Sequence, residues 1–307
     1  MTKLITVFGA TGNQGGSVVR AILVHAQLST QWRIRGITRS PDKPDARAMV
    51  ERGVEMVAVN LNSKESILQA IRGSDAVFGV TNYWEKASLA HELQQGRNLT
   101  DACLESKVSH LIWSSLPHVS KITGGKLANL HHFDSKALVE EYILETGQPA
   151  SFVLPGFFMA NVPGSIKRVA AENGDGYTLT QLFHPHTQIP MLDVAHDFGR
   201  FVAACLARPD LTMGKHVRAA SGWATPLDVC AAVQAVTGKP CTFHEMRDSE
   251  WKGGEELREN MDMIKDWMYY GPGAKEGVEW SQGVVGDVGG WDGFADFEGF
   301  LRRVGFS

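Results

Sequence analysis

One stretch does more than any other to limit what this chain can become. Residues 5–23, ITVFGATGNQGGSVVRAIL, run from four apolar or β-branched residues (Ile5, Thr6, Val7, Phe8) into a glycine-punctuated turn and then into apolar residues at helical spacing. That order reads as strand, tight turn, helix. Each glycine has a physical task. Gly9 lets the chain turn sharply off the strand, Gly12 leaves room for a ligand to reach the backbone, and Gly15 lets the helix pack closely on the sheet. The helix start presents unpaired N–H groups and the positive end of a dipole, which together suit a pyrophosphate. The arrangement predicts a dinucleotide held by Gly9, Ala10, Thr11, Gly12, Asn13, Gln14 and Gly15.

Strand-like and helix-like segments alternate through the first half of the chain, the signature of βαβ units and a parallel sheet. RIRGITR (33–39), GVEMVAVNL (53–61), AVFGVT (76–81), HLIWSSL (110–116) and SFVLPGFF (151–158) read as further strands, the last broken at Pro155 and Gly156. Helices are expected near 46–52 and 63–72, in a long run ending near 106, and near 130–145. Beyond Pro155 the pattern loosens. Helices are expected near 162–172, 194–207, 225–237, 248–270 and 291–304, with short strands near 176–180, 188–192, 215–220 and 240–245. The expected fold is α/β, a doubly wound parallel Rossmann sheet with a smaller C-terminal α+β substrate lobe. The division falls between residues 1–155 and 156–307, the second part interleaved with the sheet edge. Ligands of such folds sit at the carboxyl ends of the strands. The glycine-rich segment GPGAKEGVEWSQGVVGDVGG (271–290) reads as a mobile loop, either a surface connector or a lid.

A chain of 307 residues that is 43% apolar can bury a large core. Its net charge of −4, with Lys and Arg scattered, gives no general attraction to a phosphate backbone, so nucleic acid is not expected as a direct partner. No apolar run approaches the roughly 18 residues of a membrane span. Cys103, Cys205, Cys230 and Cys241 lie far apart without C-x-x-C spacing, and no leader precedes the first strand; both predict free thiols in a reducing, cytoplasmic compartment. His184 and His186 lack a third ligand at metal spacing. Asp193 and Asp197, four apart at a helix start, suit capping better than acid/base work.

An NAD site would place an acidic residue at the end of the second strand, where this chain has Arg39, with Lys43 close behind. A guanidinium pairs with a 2′-phosphate and stacks on adenine, so NADP(H) is the expected cofactor; the alternative is a pair of solvated charges at a strand end.

The motifs VFGATGNQGGSV (7–18), ITRSPDK (37–43), VTNYWE (80–85), HFDSKALVEEY (132–142) and LPGFF (154–158) follow one another along the chain. Their combination resembles the NmrA-like family of atypical short-chain dehydrogenases/reductases, and within it the redox-sensing, HSCARG-like branch; the likeness weakens after about residue 240. The resemblance implies that Gly9 to Gln14 hold the pyrophosphate and that Arg39 and Lys43 hold the 2′-phosphate. It sets Asn60 and Leu61 at the adenine, although an aspartate is commoner at position 60. Thr81, Asn82 and Tyr83 then border the nicotinamide ribose, and Pro155, Gly156, Phe157 and Phe158 cover the nicotinamide ring. For Tyr83, Phe157 and Phe158, packing at a domain junction is the alternative role.

Ordinary members of this superfamily carry Tyr-x-x-x-Lys on the helix after strand five, where i, i+4 spacing sets the ammonium beside the phenol and lowers its pKa. Here the stretch is His132-Phe133-Asp134-Ser135-Lys136, with the lysine kept and the tyrosine absent. Two readings stay open. In the first, Lys136 or His132, or a water held there, supplies the proton that accompanies hydride transfer to a small molecule at a C=O, C=N or activated C=C bond. Ser114 and Ser115, at the end of strand five, would polarise that bond. Reductases of the isoflavone-reductase type, which the chain also resembles, likewise keep the lysine without the tyrosine. In the second reading Lys136 only bonds the ribose, His132 is an ordinary helix-surface residue, and cofactor occupancy switches a conformation read by a regulatory protein partner. Either reading allows a homodimer.

Overall fold

The structure, a computed structural model, describes residues 2–171 and 174–307. Strand β1 (Lys3–Val7) is buried at four of its five positions, and the chain leaves it at Gly9, whose φ of +63° is open to glycine at no steric cost. Helix α1 (Asn13–Val24) follows. The unit then repeats through α2 (Leu28–Gln31), β2 (Trp32–Thr38), α3 (Pro44–Val50), β3 (Glu55–Ala58), α4 (Lys64–Ala70), β4 (Ala76–Gly79), α5 (Leu89–Glu105), β5 (His110–Ser114), α6 (Val119–Ile122), α7 (His131–Thr146) and β6 (Ala150–Pro155). The later part of the chain contributes β7 (Phe157–Phe158), β8 (Ile166–Ala171), β9 (Gly174–Gln181), β10 (Ile189–Leu192), α8 (Phe198–Ala207), α9 (Pro209–Thr212), β11 (His216–Ala219) and β12 (Gly222–Ala224). It ends with α10 (Pro226–Thr237), β13 (Cys241–Glu245), α11 (Glu255–Trp267), α12 (Ala274–Val288) and α13 (Phe297–Arg303).

Seven strands form the main sheet in the order β11-β6-β5-β4-β1-β2-β3, every neighbouring pair parallel. The chain builds outward from β1 to β3 and then returns to the other side of β1 with β4, so strand order reverses between β1 and β4. That reversal opens a crevice at their carboxyl ends. Apolar side chains fill both faces. On one face α1 and α8 bury Val18, Ile22, Phe198 and Phe201, and on the other α5 and α7 bury Leu99, Cys103, Val139 and Ile143. Two three-stranded sheets, β12-β10-β7 and β13-β9-β8, accompany this Rossmann-like core.

Three expected elements differ. The helix expected over 162–172 is instead a 3-10 turn (Pro163–Ser165) followed by β8, which pairs antiparallel with β9; residue 172 lies outside the described residues. Pro163 and Gly164 break the helical frame, and β9 supplies the hydrogen-bond partner that makes an extended chain the better choice. The segment 271–290 is not a loop but mostly α12, with Val278, Ser281, Val284 and Val285 buried at helical spacing. The valine stripe outweighs the glycines, and at Gly277 the missing side chain lets the Arg218 guanidinium lie against the helix backbone. The helix expected over 248–270 is also divided, into a 3-10 turn (Asp248–Glu250) and α11.

Candidate active site

The site begins where α1 starts. Its N-cap is Gly12, no side chain accepts from its first turn, and that turn holds no acidic residue. The first N–H groups of the helix are therefore available to a ligand. Gly12 N–H donates to the Gly9 carbonyl at 2.8 Å, closing the preceding turn. A Cβ on Gly15 would overlap that same carbonyl, so the close fit of helix and turn requires glycine there.

A cavity of about 990 Å³ opens over the turn, lined by Gly9, Thr11, Gly12, Asn13, Gln14 and Gly15. Its far wall carries Arg39, Asn60 and Leu61, and its near wall Thr81 and Asn82. Two expected residues stand elsewhere. Ala10 is fully buried, its N–H given to the Ile37 carbonyl at 3.0 Å, so it ties the turn to β2 rather than lining the cavity. Lys43 is the exposed residue before α3 and does not reach the cavity wall. Asn60 lines the cavity, but its Oδ1 accepts the Asn62 N–H at 3.0 Å and so shapes the turn before α4.

A second chamber, of about 800 Å³, adjoins the first, and Gln14, Thr81, Asn82, Trp84 and Phe158 line both. Pro155, Gly156 and Phe157 line it, as do Tyr83, His132 and Lys136. Among the described residues Lys136 is the only Lys, Arg, Asp or Glu on its wall. The ammonium has three N–H donors and all three are engaged: Glu92 Oε1 at 2.6 Å, Thr81 Oγ1 at 3.1 Å and the Thr81 carbonyl at 3.2 Å. Glu92 is 1% exposed and also accepts the hydroxyls of Thr81 (2.6 Å) and Ser135. A complete ring of bonds thus surrounds this buried ion pair, the condition under which such a pair is tolerated.

His132 is held from the other side of the cleft. Its Nδ1 lies 2.8 Å from Glu256 Oε1, an oxygen that also accepts the His132 backbone N–H at 2.8 Å, while Glu256 Oε2 accepts the Tyr83 hydroxyl at 3.1 Å. With Nδ1–H given to the carboxylate, Nε2 is an acceptor, and the Asn260 amide nitrogen stands 3.4 Å from it. The ring packs against Trp84, Phe133 and Tyr83 at centroid distances of 5.0, 4.9 and 5.9 Å. Burial pushes the His132 pKa below the ordinary 6.5, with Glu256 opposing, so the ring is neutral at neutral pH. Burial, reinforced by Glu256, pushes the Tyr83 phenol up to about 12.

The two carboxylates that organise this chemistry, Glu92 and Glu256, carry no signal in the sequence. Both sit in charged helical stretches that read as solvated faces, and only the packing of α5 and α11 turns them inward. Ser114 and Ser115 do not line the chamber. Both are fully buried; Ser114 donates to Gln14 Oε1 at 2.6 Å and Ser115 to Glu140 Oε2 at 2.5 Å, so they brace neighbouring side chains instead of polarising a substrate. Asp197 stands at the N-cap of α8 without capping it. Its Oδ2 accepts the Ser221 hydroxyl (2.6 Å) and the Ala295 N–H (2.9 Å), while Asp193 accepts the His196 N–H at 3.1 Å and bonds Arg303. Among the described residues no group of three His, Cys, Asp or Glu is placed to hold a metal.

The model of the NmrA-like family matches residues 1–301. The chain belongs to the NmrA-like family. Among curated relatives of this NmrA-like chain, the oxidoreductase notA of Aspergillus sp. (strain MF297-2) is 31% identical over 285 residues, covering 86% of the chain and 82% of the relative. Among solved structures, the negative transcriptional regulator NmrA in complex with NADP superposes with a TM-score of 0.78 at 21% identity, covering 99% of this chain and 95% of that one. The NADPH-dependent quinone oxidoreductase QOR2 of Escherichia coli, complexed with NADPH, gives a TM-score of 0.68 at 17% identity, covering 98% and 99%. At those identities the likeness to the solved structures is one of fold. Among the described residues of this NmrA-like chain, no helix is long and apolar enough to cross a membrane.

Proposed function

We propose that the chain is an NADP(H)-dependent oxidoreductase that reduces an uncharged small molecule at a C=O, C=N or activated C=C bond. The observation that carries this reading is the junction of the two cavities, where an uncapped helix start opens through Gln14, Thr81, Asn82, Trp84 and Phe158 into a mostly apolar chamber. The residues present suit the cofactor: free N–H groups, no carboxylate in the first turn, and a guanidinium at the far wall. The residues from Gly9 to Gly15 that line the cavity hold the pyrophosphate, Arg39 faces the 2′-phosphate, Thr81 and Asn82 border the nicotinamide ribose, and Pro155 to Phe158 cover the ring. Relatives that are NmrA-like oxidoreductases, and structural neighbours complexed with NADP or NADPH, support this reading.

When bound, the cofactor supplies the hydride. The chain's own residues do the rest. The mostly apolar, aromatic wall lowers the local dielectric and so strengthens the polar interactions beside it. Lys136, its N–H groups taken by Glu92 and Thr81, orients Thr81 rather than donating a proton. His132, neutral with its Nδ1–H held by Glu256, takes up a solvent proton at Nε2 and passes it to the substrate, the transient imidazolium facing the Glu256 carboxylate. The division into a cofactor-binding part (1–155) and a substrate-shaping part (156–307), and a reducing, cytoplasmic compartment suited to the four free thiols, belong to the same reading.

The test is NADPH oxidation across a panel of uncharged quinones, aldehydes and imines. Turnover with at least one class is expected, with His132→Gln lowering kcat roughly 10²-fold or more at saturating cofactor. Absence of turnover with every class would sink the proposal. A second reading has one specific observation behind it, the full engagement of the Lys136 ammonium within the protein. On that reading the chain, like the redox-sensing branch it resembles, reports the NADPH/NADP⁺ ratio to a protein partner, with or without a homodimer. Identical small-angle scattering profiles with the two cofactor forms would remove its support.

A further inference from the structure

The charge balance of the first cavity carries an inference that rests on the dinucleotide reading above and goes beyond it. Among the described residues lining that cavity, Arg39 and Glu85 are the only charged ones, one of each sign. They face each other across the rim, with Arg39 Nη1 3.1 Å from Glu85 Oε1. Arg39 follows the last residue of β2, whereas Glu85 closes a 3-10 turn, Tyr83–Glu85, after β4. That turn is well held. Glu85 N–H donates to the Asn82 carbonyl at 3.2 Å, Ala87 N–H to the Tyr83 carbonyl at 2.8 Å, and the Tyr83 hydroxyl to Glu256. The backbone that carries the Glu85 carboxylate is therefore fixed at the rim. Lys43, the other cation expected to meet a phosphate here, stands outside the cavity. The wall that should read the 2′ position thus presents no net charge.

We propose that Arg39 and Glu85 together read the 2′ position of the adenosine ribose, the guanidinium serving a 2′-phosphate and the carboxylate a 2′-hydroxyl. A 2′-phosphate gains charge-assisted, bidentate bonds from Arg39, but it must displace Glu85 from the same guanidinium and then sit near a like charge. A 2′-hydroxyl is neutral and donates a hydrogen bond to a carboxylate while the Arg39–Glu85 pair stays intact. Glu85 consequently narrows the preference for NADP(H) over NAD(H) that Arg39 alone would set.

The experiment is calorimetric titration of NADPH and NADH into the full chain at low ionic strength, for wild type, Glu85→Gln and Arg39→Ala. Glu85→Gln is expected to tighten NADPH roughly threefold to tenfold while NADH is unchanged or weaker, an effect that shrinks as salt is raised. Parallel movement of both constants, or no movement of either, overturns the proposal. The controls separate it from the reading beneath it. Wild type that binds neither cofactor overturns the dinucleotide reading itself. Selective loss of NADPH in Arg39→Ala, with the cofactor ratio unmoved in Glu85→Gln, leaves that reading standing and overturns the role of Glu85 alone.

Discussion

Glu256 accepts from a backbone N–H, an imidazole and a phenol, and it shows why single residues are hard to judge from sequence. Lys136 and His132 were legible because they occupy a known motif frame; the carboxylates that hold them were not, since a glutamate in a charged helix looks the same whether it faces water or a neighbour. His110 makes the point with a consequence for stability. It is buried beside Ser151, with Nε2 2.8 Å from the hydroxyl, and desolvation pushes its pKa from 6.5 down to about 4. Below pH 6.5 the unfolded chain takes up a proton that the folded chain refuses until about pH 4. The contribution of His110 is therefore fully present above pH 6.5 and is lost as pH falls, by about 1.4 kcal/mol for each pH unit in that window. Urea unfolding between pH 6.5 and 5 should show a drop in stability that is about 2 kcal/mol smaller in His110→Gln. Equal slopes in the two proteins would contradict it.

Elements were read more reliably where a strong pattern coincided with the final packing. β1 to β6 lie where short apolar and β-branched runs set them, because a parallel sheet covered on both faces demands continuous apolar runs. The misread segments, 162–172 and 271–290, are those whose local composition was outvoted by a distant partner, β9 in one case and the sheet face beneath α12 in the other. Contact between α5 and α7 offers a direct test of such packing. A Cβ at Gly96 would overlap the side chain of Val139 on the facing helix. Helix propensity favours Gly96→Ala by about 1 kcal/mol, whereas overpacking costs about 1–3 kcal/mol, so a net loss is expected. Combining it with Val139→Ala should recover at least about 0.5 kcal/mol relative to additivity, measured by urea denaturation of the four proteins. A stabilised single variant would show that the helices can part.

At the scale of the whole molecule, the sheet was foreseeable, and so was a strand near 215–220, but not the neighbour that this strand takes. β11 lies 61 residues beyond the end of β6 in sequence, yet it pairs beside it, an outcome no local pattern announces. Asp197 is one of the residues that bind these distant parts together. Fully buried, it accepts from Ser221 after β11 and from Ala295 before α13, and it meets Arg200 at 3.3 Å. Asp197→Ala should cost about 3–5 kcal/mol, seen by calorimetry as a lowered Tm for the bulk of the molecule. A shift confined to a minor transition would mean that Asp197 secures only a local segment. The Glu256–His132 pair spans 124 residues, and that separation has a consequence for how the protein is made. Ribosomes deliver the N-terminus first, so the glycine turn and the lysine leave the exit tunnel long before α11 does. A nascent chain at that stage has sequence enough for its cradle and nothing to hold His132 in place. Translation that stops before codon 256 therefore leaves the proton donor without its partner.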